Sequence, residues 1–273
     1  MTSPRSQSVD AEWVAFAAGL KPMVRRTADP HDVDAAESRL RSLGAPVVLR
    51  SAVMPVGGRD VVVLYAARRL DDAEALRALE AAVTHGPGDA PTHREIGRRL
   101  GFPPCCTEAF CERVARGVDR LTDGGPGGFS EDYVAARAAW VAHPGPWTNP
   151  LLMAARAQLV SFYPCRYDCP AATRYARAVY ERLRAKAPEA AATLLTALSR
   201  PVVVAHDGAR VTVALSDDGA ITAAEPVTSD PRDASLARDV VGARVTDTGR
   251  VEGPAALSPR GEAPWCVDFR GAP

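Results

Sequence analysis

The stretch "PVVLRSAVMPVGGRDVVVLYAA" (46–67) decides the fold class. It contains two β-rich runs on either side of Gly57-Gly58, the signal of an antiparallel hairpin. Helical patterns flank it. Upstream, Asp29 and Pro30 precede Val33, Leu40 and Leu43 at near-helical spacing, and Gly44 stands where a C-cap is expected. Downstream, Asp71 or Asp72 can cap a helix that carries Leu76, Leu79 and Val83 on one face and ends at Gly86. With one earlier helix, residues 11–86 read helix, helix, hairpin, helix. A hairpin set among helices predicts α+β.

The other end of the chain supports this. From Pro201 the apolar pattern changes to period two. "VVVAHDGARVTVALSDDGAITAAE" (202–225) reads as three short strands turning at Asp207-Gly208 and Asp218-Gly219, an antiparallel β meander. The tail past Gly253 is rich in Pro and Gly, apart from "PWCVDF" (264–269).

Between these ends the pattern is helical. Thr92 and Glu95 have capping-box spacing for a short helix ending near Leu100. Pro103 and Pro104 break it and pre-set the next, roughly 104–116. "DGGPGG" (123–128) leads to Ser130, Glu131 and Asp132, the start of a helix expected to run to His143. Asn149-Pro150 is expected to begin another, "LVSFYPC" (159–165) is expected to be extended, and Pro170 opens a long helix with Tyr175, Val179 and Leu183 on one side. Residues 188–199 read as one more helix. The expected organisation is therefore 1–90, an N-terminal α/β-hairpin region; 91–200, a helical cysteine-bearing centre; and 201–273, a C-terminal β-rich region.

Composition narrows the function. Lys plus Arg and Asp plus Glu both number 33, so no net field draws the chain to nucleic acid or anionic lipid. The first ten residues lack an apolar core, and runs such as "VVVLYAA" (61–67) are too short to span a bilayer. The expectation is a cytoplasmic protein with no membrane and no nucleic-acid partner, acting on an unknown small-molecule substrate. The abundance of Ala, and of Arg over Lys, points to a GC-rich bacterial genome. In a reducing compartment, six cysteines point to metal binding or catalysis rather than disulfides.

The cysteines are not scattered. "GFPPCCTEAFC" (101–111) contains Cys105, Cys106 and Cys111, and "YPCRYDCP" (163–170) contains Cys165 and Cys169. Cys105-Cys106 and Cys165-x3-Cys169 both follow prolines, and both sit at expected helix starts. Unpaired N–H groups and the helix dipole favour thiolates there. Two such pairs converging on one centre suit an iron–sulfur cluster, 4Fe-4S among them, or a tetrahedral zinc. Zinc knuckles space ligands two to four apart, which fits Cys165 and Cys169 but not the adjacent pair. On ligand spacing alone the set resembles that of the cobalamin-independent epoxyqueuosine reductases, so iron–sulfur stands first and zinc second. A thiol oxidoreductase using Cys105 and Cys106 directly is the third reading.

Other residues are secondary. Glu108, one turn past Cys105, is the candidate acid/base or hydrogen-bonding partner of a ligand. Asp168 is expected to be an N-cap carboxylate, and His93 lies on the helix before the first pair. Arg98, Arg99 and Arg166 are candidates for an anionic substrate. Cys111 falls about 140° around a helix from Cys106 and so does not share its face; its neighbours Phe110 and Val114 suggest a core position, and Cys266 is also read as a packing residue. Trp140, Trp147, Phe162 and Tyr163 are expected to be core or lining residues. P-loop, G-x-G-x-x-G, H-E-x-x-H, G-x-S-x-G and radical-SAM cysteine spacings are absent.

"GRRLGFPPCCTEAF", with "NPLL" and "FYPCRYDCPAA" downstream, resembles an uncharacterised prokaryotic family of unknown function. The resemblance rests on Leu100, Gly101, Phe102, Pro103, Cys105 and Cys106, then Pro164, Cys165, Asp168 and Cys169, and covers 92–186. It implies that the four cysteines act as a unit and carries no activity. The resulting expectation is an iron–sulfur-dependent redox enzyme or lyase, with a structural zinc module as the alternative.

Overall fold

The computed structural model describes residues 11–56, 59–85, 89–113, 115, 131–253 and 263–271. The described residues fall into two compact units, one over 11–115 and the other over 131–271. Helices and antiparallel sheets occur in both, so the fold is α+β.

In the first unit, α1 (Ala11–Ala17), β1 (Met23–Ala28), α2 (Val33–Ser42), β2 (Val47–Arg50), β3 (Met54–Val56) and β4 (Arg59–Ala67) are followed by α3 (Leu70–His85), α4 (Ala90–Arg99) and α5 (Pro104–Arg113). The strands form an antiparallel sheet in the order β1-β4-β2, with β3 also paired to β4. β4 is central, and Val61 to Ala67 are all buried. Its alternate residues serve two cores. Val62, Leu64 and Ala66 pack with Trp13, Phe16 and Leu40, whereas Val63, Tyr65 and Ala67 pack with Met23, Leu76 and Leu100. Helices thus cover both faces, which explains a continuous apolar run where a half-exposed strand would alternate.

β3 and β4 pair antiparallel in the expected hairpin, although Gly57-Gly58 lies outside the described residues. The C-cap at Gly44 holds: Gly44 N–H donates to Arg41 O and Ala45 N–H to Leu40 O. Asp71 and Asp72 fall in the first turn of α3 rather than at its cap, and Ala73, Leu76 and Glu80 form its buried face. β1 was not legible. Its "MVRRTA" carries two arginines at a sheet edge, where Arg25 reaches Glu80 at 2.7 Å and Arg26 approaches Glu12 at 4.0 Å. Beneath it, Lys21 and Glu12 form a buried ion pair.

In the second unit, α6 (Glu131–Ala139) is followed by two short 3₁₀ turns, Pro146–Thr148 and Met153–Ala155. Next come α7 (Pro170–Lys186), α8 (Pro188–Leu198), β5 (Val202–Val204), β6 (Arg210–Leu215), β7 (Ile221–Pro226), α9 (Pro231–Val240), β8 (Arg244–Val245), β9 (Val251–Glu252) and β10 (Trp265–Val267). The meander is present as β5-β6-β7, and β10 extends it in the order β10-β5-β6-β7. α9 covers the meander, with Leu236, Ala237 and Val240 in the same core as Val203, Val211 and Val213. Buried Asp233 ties it down by accepting from Arg210 N–H (2.8 Å) and from Thr228 N–H (2.9 Å) and Oγ1 (2.8 Å).

Three expectations need correction here. α6 ends at Ala139, not His143, and the "DGGPGG" loop with Ser130 lies outside the described residues. No α-helix starts at Asn149-Pro150, because the buried Asn149 side chain accepts from Leu151 N–H at 3.0 Å and holds the chain in a turn. The 159–165 segment is irregular and joins no sheet.

Candidate metal centre

Each cysteine pair is positioned by its own unit. In the first, α4 is capped by Asp89, whose side chain accepts from Thr92 N–H at 2.8 Å. Thr92 is therefore the recipient of the cap, not its source, and Glu95 pairs with Arg98 instead. α4 ends in a Schellman turn, with Phe102 N–H bonding to Gly97 O (2.9 Å) and Gly101 N–H to Arg98 O (3.1 Å). Gly101 sits at φ +74, and a Cβ there would stand 2.6 Å from Pro22 Cδ. Only glycine combines that torsion with that contact.

Pro103 then leads into α5. Its carbonyl accepts from both Cys106 and Thr107 N–H at 3.0 Å, and Pro104 fills the first helical position. Cys105 and Cys106 follow in the first turn, with their Sγ atoms 4.0 Å apart. α5 lies close on α4 because Gly97 has no side chain. A Cβ at Gly97 would meet Thr107 Oγ1 at 2.6 Å and Cγ2 at 2.7 Å.

In the second unit a turn at 166–169 presents the other pair. Cys169 N–H donates to Arg166 O (3.0 Å), and Cys169 is the N-cap of α7, its carbonyl accepting from Thr173 N–H at 2.9 Å. Tyr167 anchors the turn. Its ring is buried edge-on against Phe269, its N–H donates to Ala139 O, and its carbonyl accepts from the Thr148 hydroxyl. Asn149 braces the preceding segment by donating to Leu198 O at 2.9 Å, which gives "NPLL" a structural role.

The Sγ atoms of Cys105, Cys106, Cys165 and Cys169 all lie within 4.8 Å of one another. Cys106 and Cys169 are buried, Cys165 is half-buried and Cys105 is exposed. Four sulfurs at that spacing, two on the first turn of α5 and one at the N-cap of α7, form a group that could hold a metal ion.

The remaining residues separate from this group. Cys111 Sγ points to Ala90 O at 3.5 Å, and burial, then Glu108, pushes its thiol up. Cys266 is buried in β10, and burial, then Asp268, pushes its thiol up. Both behave as core residues, as expected. Glu108 is exposed and bound twice by Arg94 at 2.5 and 2.9 Å, and that guanidinium holds its carboxyl below the usual range. A carboxylate so paired is a poor proton donor near neutral pH. Asp168 caps nothing; it forms a two-pronged pair with Arg166, which lowers its pKa. Arg98 and Arg99 are paired with Glu95, and Arg99 also with Asp72. His93 stacks edge-on to Phe110 at 5.2 Å. Trp147 and Phe162 are buried, whereas Trp140 is half-buried and donates to Cys266 O. Tyr163 is half-buried.

Two positioning residues went unread in the sequence. Gly97 had a signal: glycine inside an amphipathic helix costs about 1 kcal/mol relative to Ala, so its presence asks for a close neighbour. Lys21 had none, since its burial depends on Glu12 and on the Phe102 ring 5.4 Å from its Nζ.

The site defines a class: a soft, all-sulfur group that could hold a metal ion, three of its cysteines at helix starts, in an α+β chain. No family model, curated protein or solved structure matches the chain, so the function is argued from this group itself.

Proposed function

We propose that Cys105, Cys106, Cys165 and Cys169 bind one metal ion in a tetrahedral thiolate centre, and that the ion is zinc. The observation that carries this reading is the 4.8 Å limit on every sulfur–sulfur separation. Zinc–sulfur bonds of about 2.3 Å in a tetrahedron put the sulfurs about 3.8 Å apart. The Cys105–Cys106 separation of 4.0 Å is close to that edge. In a four-iron cluster each thiolate binds a different iron, which spreads the sulfurs to roughly 6 Å. The span therefore favours a single ion over a cluster. Bound zinc would supply positive charge to hold four thiolates together and fix the starts of α5 and α7.

One observation favours the iron–sulfur enzyme as the second reading. The adjacent cysteines depart from the two-to-four-residue spacing of zinc knuckles. In that reading three cysteines ligate a cluster, and exposed Cys105 faces an unknown small-molecule substrate.

Anaerobic purification with metal and sulfide analysis and a visible spectrum separates the two. One zinc per chain, no colour and no labile sulfide is the expected result. Brown protein with iron and sulfide would replace it with the second reading. Cys106→Ser and Cys169→Ser should each lose retained metal; full retention in both would sink the metal centre altogether.

A further inference from the structure

The four ligands are not equivalent. Cys106 and Cys169 are 2 % and 3 % exposed, Cys165 is half-buried, and Cys105 alone is exposed. We propose that Cys105 is the reacting ligand of the centre, its thiolate accepting an alkyl group from a small, uncharged alkyl electrophile. This rests on the zinc reading above.

The chemistry follows from charge and access. Four thiolates around one zinc leave two net negative charges, within a group whose sulfurs are no more than 4.8 Å apart. A zinc-bound thiolate stays deprotonated where a free thiol is mostly protonated, and the thiolate is the nucleophile. In the step, a Cys105 Sγ lone pair forms an S–C bond. The bond from that carbon to its leaving group breaks, and the leaving group departs with the bonding pair. No proton, oxidant or reductant is needed. The product is a neutral thioether at Cys105, so one negative charge leaves the crowded group. That relief of repulsion favours the transfer. The three less accessible cysteines hold the ion while the exposed one reacts.

The surroundings select the substrate class. The arginines in and beside the two motifs are engaged with carboxylates: Arg94 with Glu108, Arg98 with Glu95, Arg99 with Glu95 and Asp72, and Arg166 with Asp168. Each of these arginines already has a carboxylate partner that an anionic substrate would have to displace. An uncharged electrophile meets no such requirement.

The test uses zinc-loaded full-length protein, methyl iodide as probe, intact mass for adduct number, peptide mapping for position and metal analysis for zinc. One methyl at Cys105 is expected. Its formation should be at least about tenfold faster with zinc than after zinc removal, because the bound ion holds the Cys105 sulfur as the nucleophilic thiolate. Cys105→Ser should lose the adduct while Cys111→Ser keeps it. Methylation spread over several cysteines, or a Cys105 rate unchanged by zinc, would overturn the proposal and leave the zinc reading standing. Protein that binds no zinc would overturn both.

Discussion

Gly97→Ala tests whether the close approach of α4 and α5 sets the proposed metal centre. The new Cβ would stand 2.6 Å from Thr107 Oγ1 and 2.7 Å from Cγ2, whereas ordinary contact begins at 3.4 Å. Turning Thr107 about χ1 relieves only part of the overlap, because its Cβ is itself 3.2 Å away, still a tight contact. α5 must therefore move by about 0.2 Å if Thr107 turns and by about 0.8 Å if it keeps its rotamer, while metal–ligand distances tolerate about 0.2 Å. Overpacking of this kind costs about 1–3 kcal/mol, against a gain of about 1 kcal/mol from Ala in a helix. On the proposed zinc reading, α5 can relax outward in the metal-free chain, and binding must draw it back. The strain then appears in the affinity, a loss of up to about 2 kcal/mol, or roughly thirtyfold. Competition with a chromogenic chelator reads this directly. Adding Thr107→Ala removes both clashing atoms, and the double variant should recover most of the affinity. If Gly97→Ala bound zinc as tightly as the parent and melted higher, as Ala in an unencumbered helix should, the packing argument would be wrong.

Three further outcomes are expected. Lys21→Met should destabilise the chain by roughly 3 kcal/mol in urea melts, since it removes the nearest partner of buried Glu12 and leaves Arg26 at 4.0 Å, and adding Glu12→Leu should restore much of the loss. Gly101→Ala should lower both thermal stability and zinc affinity, because it forces an L-residue to φ +74 and a Cβ to 2.6 Å from Pro22 Cδ. Asp230 caps α9, and the Arg232 guanidinium beside it holds its carboxyl below the usual range. A lowered folded pKa means its contribution is complete above the unfolded value and is lost as pH falls through the folded one. Asp230→Asn keeps the cap yet should flatten that acid limb in pH-dependent melts, and Asp230→Ala should cost about 1 kcal/mol at neutral pH.

What the sequence revealed depended on how local the cause was. The meander was legible because Asp207-Gly208 and Asp218-Gly219 place turns between period-two runs, and those turns form where expected. The starts of α5 and α7 were legible because Pro104 and Pro170 favour the first helical position and nothing else competes there. The four cysteines were legible as a group by chemistry alone. Where a competing neighbour or a tertiary partner decides, the reading failed. Thr92 and Glu95 have capping-box spacing, yet Asp89 three residues earlier takes the cap and Arg98 takes the glutamate. β1 has little apolar alternation to show, since its arginines are satisfied by Glu80 and Glu12 from α3 and α1. β10 was hidden because "WCV" becomes a strand only by pairing with β5.

The adjacency of Cys105 and Cys106 has a physical reading that differs from that of a knuckle. A knuckle brings two sulfurs together by folding the backbone between them, so its ligands need two to four intervening residues. On a helix's first turn the backbone is already fixed, and neighbouring residues point about 100° apart. Two adjacent side chains can then converge on one ion only through their rotamers, and only if the helix start itself is held. That is what surrounds this pair. Pro103 and Pro104 fix the entry, Gly101 sets the turn before it, and Gly97 lets Thr107 lock α5 against α4. The Cys165–Cys169 pair needs less support from its helix, because a turn anchored by Tyr167 bends the backbone between its ligands in the ordinary way. Zinc affinity should therefore be more sensitive to substitutions that move α5 than to changes in the exposed Arg166–Asp168 pair. Arg166→Ala should lower affinity less than threefold in the same chelator competition where Gly97→Ala lowers it by roughly thirtyfold. Equal losses would mean that the helix start is not what holds the vicinal sulfurs in place.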